Sequence, residues 1–338
     1  MGLLKNFLNR KSIVDNHLGQ MRFSSNKIKT CDYTNSPNKL NIETPRSGKD
    51  QQCHPKVLYF EEKFGGHHFW MAYTPYPYNK DSRENPCIVY SDDMINWKKP
   101  KGVRNPLDKG NNKNYMSDPH LVYNDYTKLL EIWYRQALTS LKTEVIYRKT
   151  SPDGVNWSKR EEMYRFTGTE DGYAGFSHIL SPCIIYENHM YKIWAGSGNP
   201  KGYLKYYETP DGFDWNLKAT TNLEGWHYDI VKTDIGYECF ISDEVTGKTV
   251  SYSKSSDGID WDDKKVIIES PKENSWDSDK LYRTTAIKID KKYYLFYTGV
   301  RNSVWGIGLT ISTKENDITS LKGYVDGDIV TYTDNKED

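Results

Sequence analysis

One phrase recurs along the chain and constrains its fold more than any other feature. It reads Ser-Pro-Asp-Gly-Val-Asn-Trp from Ser151 to Trp157, Thr-Pro-Asp-Gly-Phe-Asp-Trp from Thr209 to Trp215, and Ser-Ser-Asp-Gly-Ile-Asp-Trp from Ser255 to Trp261. A worn copy, Ser-Asp-Asp-Met-Ile-Asn-Trp, runs from Ser91 to Trp97. Asp-Gly supplies the positive-φ residue of a tight turn, and a Trp shortly after it can fold back over that turn. Four copies, with Trp residues roughly 46 to 60 residues apart, are the spacing of propeller blades.

Each turn closes the same unit. A first run begins with a short polar residue and Pro, as in His54 to Phe60, Asp118 to Tyr123 and Ser181 to Tyr186. A second run follows in His68 to Tyr73, Leu130 to Arg135 and Tyr191 to Gly196; a third leads into the turn in Cys87 to Ser91, Val145 to Lys149 and Leu204 to Glu208. β-Branched and aromatic residues dominate these runs, and Gly, Asn, Asp and Pro fill the gaps, so they read as strands joined by hairpins. Trp226 to Val231, Tyr237 to Ile241 and Val250 to Ser253 make a fourth unit, and Tyr282 to Ile287, Tyr293 to Tyr297 and Ile307 to Ile311 a fifth that lacks the turn. The expected fold is all-β, a five-bladed β-propeller of four-stranded antiparallel blades.

The repeat places one domain over residues 21–330, preceded by a basic, amphipathic segment over 1–20 and followed by a short tail. Met21 to Ser24 and Lys39 to Ile42 are candidate closing strands, because a ring of blades abolishes its sheet edges only when one terminus completes the other's blade. With 27 Tyr and 10 Trp the composition suits many short strands and an aromatic-rich surface. Formal charge is zero and no Lys/Arg stripe stands out, so nucleic acid is not expected as a partner. No run approaches the roughly 18 apolar residues of a membrane span. The first residues lack a secretory pattern, which places the chain in the cytoplasm or on a virion by expectation; the same segment offers a surface for docking. Five cysteines, Cys31, Cys53, Cys87, Cys183 and Cys239, are expected as unpaired thiols, with no metal or other cofactor.

Propellers turn the first strand of each blade toward the axis. His54, Asp118, Ser181, His227 with Asp229, and Arg283 therefore line one mouth of the channel, with Tyr73, Tyr76, Arg135 and Arg301 from the next hairpins as substrate-binding candidates. Polar residues converging from five separate blades mark the default ligand site. Asp-Pro and Ser-Pro steps also serve simply to start strands.

Blades that open on Asp-Pro or a variant, continue with an aromatic strand and end in Ser-x-Asp-Gly-x-x-Trp resemble the five-bladed glycoside hydrolases of families 43, 32 and 68. Tyr73 to Tyr76, Glu84-Asn85-Pro86, Ser117 to His120 and Leu281 to Arg283 are also similar to stretches of uncharacterised propellers from Gram-positive bacteria and phages. The resemblance covers residues from about 50 to 320 and implies a carbohydrate ligand. In those hydrolases an Asp on the first blade is base or nucleophile, an Asp on the second orients, and a Glu on the third is the acid. Asp118 matches the second position, whereas His54 and Ser181 stand at the other two. Glu84, Glu170, Asp171, Asp229 and Glu238 are the available substitute carboxylates. A His54–Asp118 base pair and a His227–Asp229 acid/base pair are the catalytic candidates, since imidazole titrates near neutrality and alternation puts His227 and Asp229 on one strand face. Two classes remain at this point: a glycoside hydrolase, or a non-catalytic glycan-binding or phage tail-associated propeller.

Overall fold

The structure is a computed structural model that describes residues 21–23, 27–110, 114–138, 141, 143–167, 179–197, 203–243, 246–272 and 274–332. The N-terminal segment 1–20, Glu170, Asp171 and the tail beyond 332 lie outside the described residues. Among the latter there is no α-helix, only strands and short 3-10 turns.

Three short strands come first: β1 (Met21–Phe23), β2 (Lys29–Thr30) and β3 (Asn41–Ile42). Blade I follows with β4 (Gln52–Phe64), β5 (His67–Pro75), β6 (Cys87–Ser91) and the outlying β7 (Asn96–Trp97). Blade II holds β8 (Tyr115–Asn124), β9 (Leu129–Leu138), β10 (Thr143–Ser151) and β11 (Glu161–Thr167). Blade III holds β12 (Leu180–Glu187), β13 (Met190–Gly196), β14 (Tyr203–Thr209) and β15 (Asn216–Glu224). Blade IV holds β16 (His227–Thr233), β17 (Gly236–Ser242), β18 (Thr249–Ser255) and β19 (Lys265–Glu269). Blade V holds β20 (Lys280–Ile289), β21 (Lys292–Arg301), β22 (Val304–Ser312) and β23 (Leu321–Asp326), and β24 (Val330–Tyr332) ends the described chain.

Blades II to IV are four-stranded and antiparallel, as expected. Blades I and V depart from that count because the N-terminal strands are spent on closure. β2 adds a fifth strand to blade V, β1 pairs with β24, and β3 runs parallel to β7 outside the three antiparallel strands of blade I. The apolar core lies between blades rather than within them: one cluster joins Val57 and Phe69 of blade I to Phe296 and Leu309 of blade V, and others fill the remaining junctions.

The repeated turns clamp those junctions. In each, the Asp carboxylate accepts backbone N–H groups of the residues beyond it, as Asp153 does from Val155 (2.9 Å) and Asn156 (2.7 Å). The Trp then folds back, with Trp157, Trp215 and Trp261 Nε1 donating to the turn glycine carbonyls and Trp97 to that of Met94. The glycines are needed on two grounds. Gly258 sits at φ +81°, and a Cβ there would lie 2.6 Å from the Trp194 ring of blade III. Gly154 likewise lies against Trp70 of blade I, and Gly212 against Trp133 of blade II. Each turn thus reaches back onto the preceding blade.

Candidate functional site

The inner strands of four blades share one irregularity. His54-Pro55, Asp118-Pro119, Ser181-Pro182 and Tyr282-Arg283 each set two residues against one on the neighbouring strand. His54, Asp118 and Ser181 take positive φ values of 58°, 53° and 46°. A non-glycine residue held there costs on the order of 1–3 kcal/mol, and bulges of this kind re-aim side chains next to active sites. Pro suits the place because it brings no N–H that would go unpaired in the broken ladder.

The bulges bring His54, Asp118 and Ser181 beside His227, which opens the regular strand β16, in one buried layer at the axis. Asp118 is its centre. Its Oδ1 accepts from Ser181 Oγ at 3.0 Å and faces His54 Nε2 at 3.4 Å, His227 Nδ1 at 3.7 Å and Arg283 Nη1 at 3.9 Å. Its Oδ2 accepts from Ser117 Oγ at 3.1 Å and faces Arg135 Nη1 at 3.7 Å. Arg135 is itself fixed by Glu144. Burial alone would raise the Asp118 pKa, but His54, His227, Arg135 and Arg283 together pull it below the ordinary carboxylate range.

Both imidazoles are oriented through Nδ1. His54 Nδ1 lies 2.9 Å from Thr74 Oγ1, and His227 Nδ1 contacts Ser181 Oγ. With Ser181 donating to Asp118, the proton of His227 belongs on Nδ1 and donates to Ser181, which leaves His227 Nε2 a lone-pair acceptor. Neither that Nε2 nor the Nε2 of His54 has a hydrogen-bond partner among the described residues. Burial lowers the pKa of His54 to about 4, against the opposing pull of Asp118, and lowers His227 well below its usual value. Glu84 stands beside this layer, its Oε1 3.7 Å from His54 Nδ1. Burial, then the charge of Asp118, raises the Glu84 pKa well above the carboxylate range.

His54, Asp118 and His227 offer ligand atoms within 4.8 Å of one another, a set that can hold a metal ion. The 3.4 Å separation of His54 Nε2 and Asp118 Oδ1 is the edge that two ligands at about 2.1 Å make around a tetrahedral ion. A second histidine–acid cluster lies one layer down. Two residues beyond the first layer, strand alternation places Lys56, His120, Cys183 and Asp229 on the same axial face. Here Lys56 Nζ bonds Asp229 Oδ1 at 2.7 Å, and His120 receives Arg283 Nη2 at Nδ1 (3.1 Å) while Nε2 lies 3.2 Å from the Ile184 carbonyl. Both nitrogens of His120 are therefore engaged.

The sequence-derived candidates separate accordingly. His54, Asp118, Ser181, His227, Arg135 and Arg283 converge. Asp229, two residues beyond His227 on β16, lies in the layer below, where Lys56 binds it at 2.7 Å. Tyr73 does not line the mouth; it is buried in the core with its hydroxyl donating to the Glu43 carbonyl (2.8 Å). Arg301 donates to Asn274 (2.9 Å) on the rim. Tyr76 joins an aromatic arc with Trp305, Tyr282 and Trp226: Tyr76 and Trp305 centroids are 5.0 Å apart, Trp305 and Tyr282 5.4 Å, and Tyr282 and His227 4.1 Å. Glu238 binds the hydroxyls of Tyr252 and Tyr293 (2.8 Å each), away from the axis. The metal-competent trio and the second layer were missed from the sequence. Counting two residues on from each X-Pro start finds Lys56, His120 and Cys183.

No family model matches the chain. The A type blood N-acetyl-alpha-D-galactosamine deacetylase of Flavonifractor plautii is 26% identical over 290 residues, which cover 70% of this chain and 37% of that protein. The chain thus spans little more than a third of that relative's length. A crystal structure of an N-acetylgalactosamine deacetylase from F. plautii in complex with blood group B trisaccharide matches with TM-score 0.69 at 18% identity, covering 88% of this chain and 95% of that one. The catalytic domain of a family 62 alpha-L-arabinofuranosidase from Coprinopsis cinerea matches with TM-score 0.56 at 13% identity, covering 84% and 96%. A family 43 beta 1,3 galactosidase matches with TM-score 0.54 at 12% identity, covering 87% and 99%. The fold is the five-bladed propeller seen in those glycoside hydrolases.

Proposed function

We propose that this chain is a carbohydrate-active hydrolase that removes the acetyl group from an N-acetylated sugar at the axial mouth. The observation that carries the reading is the crowding of two buried imidazoles on one carboxylate: His54 Nε2 lies 3.4 Å and His227 Nδ1 3.7 Å from Asp118 Oδ1, and the three side chains offer ligand atoms within 4.8 Å of one another. Two neutral imidazoles and a carboxylate gathered at one buried point are a donor set suited to a cation. The name of the F. plautii relative supplies the reaction class, and the fold resemblance supplies the carbohydrate.

A divalent ion on His54, Asp118 and His227 would polarise the acetamide carbonyl and make water a stronger nucleophile at neutral pH. Thr74 and Ser181 hold the two imidazole rings in place through Nδ1, the usual office of partners behind metal ligands. Arg135 and Arg283 keep Asp118 ionised. Water gives up a proton to solvent as its oxygen attacks the carbonyl carbon, and Glu84, which burial and Asp118 keep protonated, is the general acid for the departing nitrogen. The C–N bond then breaks, the Glu84 proton passes to the departing nitrogen, and acetate and the amino sugar leave. Tyr76, Trp305, Tyr282 and Trp226 offer faces on which a sugar ring stacks.

Glycosidic cleavage, implied by the resemblance to families 43, 32 and 68, asks for two carboxyl groups flanking the bond. Among the described residues the mouth offers Glu84 and Asp118, and Asp118 stands at the position that the resemblance gives to the orienting carboxylate rather than to the base or the acid. Amide hydrolysis uses the set as it stands. A phage setting gains no support from the relatives named above. The test is to strip the protein with chelator, restore Zn²⁺, Mn²⁺ or Co²⁺, and follow acetate from oligosaccharides carrying N-acetylgalactosamine. Metal-dependent acetate release is expected; release of free sugar without acetate would restore the glycosidase reading, and tight binding without turnover the glycan-binding one.

A further inference from the structure

The rim of the mouth on the side of blades IV and V holds a cation that the chemistry above does not use. Lys280, half-buried at the start of β20, lays its ammonium over two rings of the aromatic arc, 5.0 Å from the Tyr282 centroid and 5.9 Å from that of Trp226. Its stem lies in a slot opened by Gly247, where a Cβ would come within 2.5 Å of Lys280 Cε. Tyr282 is the ring that packs 4.1 Å from His227, so Lys280 is one side chain removed from the metal-competent layer. The nearby Asp243 carboxylate is occupied by the backbone N–H of Thr246 at 3.1 Å and by that residue's hydroxyl. Among the described residues the Lys280 ammonium makes these two ring contacts and no hydrogen bond or ion pair. Partial burial lowers its pKa, opposed by Cys53 and Asp243. A flexible lysine at a rim can turn to water; this one is drawn inward over the platform, with three donors open.

We propose that Lys280 is a specificity-determining residue that binds an oxyanion on the substrate, so that the sugar processed at the mouth is an acidic N-acetylated one. The inference rests on the reading of the mouth as a deacetylase site and adds the substrate class. A sugar held in the mouth with its acetamide toward His227 presents another edge to Lys280, and a carboxylate, sulfate ester or phosphate there completes the ammonium's hydrogen bonds. Such a charge-assisted contact is worth roughly ten- to a hundredfold in affinity.

The experiment uses metal-loaded protein and probes that differ only in charge: N-acetylgalactosamine, its 4-sulfate, 6-sulfate and 6-phosphate, and the corresponding uronic acid. Binding is measured by calorimetry and turnover by acetate release, for the parent, Lys280→Gln and Lys280→Arg. At least one charged probe is expected to bind roughly tenfold or more tightly than the neutral sugar. That gain should vanish in Lys280→Gln and return in Lys280→Arg, and which probe shows it identifies the oxyanion. Equal binding of every probe, or a preference that survives Lys280→Gln, overturns the proposal. A Lys280-dependent preference without acetate release would keep this subsite and remove the deacetylase reading; acetate release at equal KM for all probes would do the reverse.

Discussion

Two layers of the same channel, one residue pair apart along the inner strands, carry nearly the same side-chain types and do different work. The mouth layer has His54, Asp118 and His227; the layer beneath has His120, Asp229 and Cys183, whose ligand atoms also lie within 4.8 Å of one another. Beneath, Lys56 neutralises Asp229 and both nitrogens of His120 are bonded. At the mouth, Nδ1 of His54 pairs with Thr74 and Nδ1 of His227 with Ser181, and neither Nε2 has a hydrogen-bond partner among the described residues. The same residue types make a strut where both nitrogens of the imidazole are bonded and a site where one nitrogen of each ring is left open. Arg283 joins the two layers, with Nη2 on His120 and Nη1 toward Asp118.

The largest expected effect separates the layers by function. Asp118→Asn keeps the shape and removes the charge, so the protein should fold while metal affinity and turnover fall, the latter by roughly a thousandfold if several kcal/mol of transition-state stabilisation are lost. Metal content and acetate release, measured on the same sample, read this directly. A variant that binds metal and turns over like the parent would place the site elsewhere.

The lower layer should respond in stability instead. Lys56→Met leaves Asp229 buried and uncompensated, which costs roughly 3–5 kcal/mol in denaturant unfolding. Adding Asp229→Asn should recover much of that loss, as neutral, shape-matched pairs in such places do. Activity per folded molecule should stay near the parent's. If Lys56→Met instead abolished metal binding with stability intact, the lower layer would be part of the site.

Acid should weaken the mouth layer first. The folded-state pKa of His54 is about 4 against an ordinary 6.5, so between those values the unfolded chain binds a proton that the folded chain does not. Stability is therefore full above about pH 6.5 and falls as pH drops toward 4, by roughly 3 kcal/mol for His54 alone. His227, also depressed by burial, adds to the same slope. His54→Gln should flatten part of this decline; an unchanged slope would mean that His54 is protonated in the fold.

The sequence made the blades legible because each Asp-Gly…Trp turn is a local device, complete within seven residues. The mouth was legible only as a list of positions. Pro55, Pro119 and Pro182 marked where inner strands begin, but nothing local says that His54 and Asp118 take positive φ and swing inward, since that follows from the bulge against β5 and β9. Tyr73 was misplaced for the same reason: the bulge shifts the register opposite it, and its hydroxyl ends on Glu43. The closing strands escaped a full count because β2, β3 and β7 span two residues each and take their pairing from long-range closure.

The smallest expected effect lies outside both layers and tests whether the mouth is insulated from the rim that holds the blades together. Asp257 in the blade IV turn accepts from Ile259 N at 2.8 Å, Asp260 N at 3.0 Å and Ser255 Oγ at 3.0 Å. Its neighbour Gly258 receives Trp194 Nε1 of blade III at 2.7 Å, so the turn is the clasp between the two blades. Asp257→Ala removes the acceptor from an exposed turn whose freed N–H groups can bond water, and the cost should be about 1 kcal/mol. Urea unfolding should show a shifted midpoint at constant slope, since the surface exposed on unfolding is unchanged. Acetate release per folded molecule should match the parent's, because the inner strands keep their own ladders and bulges whether or not the clasp holds. A fall in turnover beyond the folded fraction would show that the position of His227, on β16 of that blade, depends on the rim.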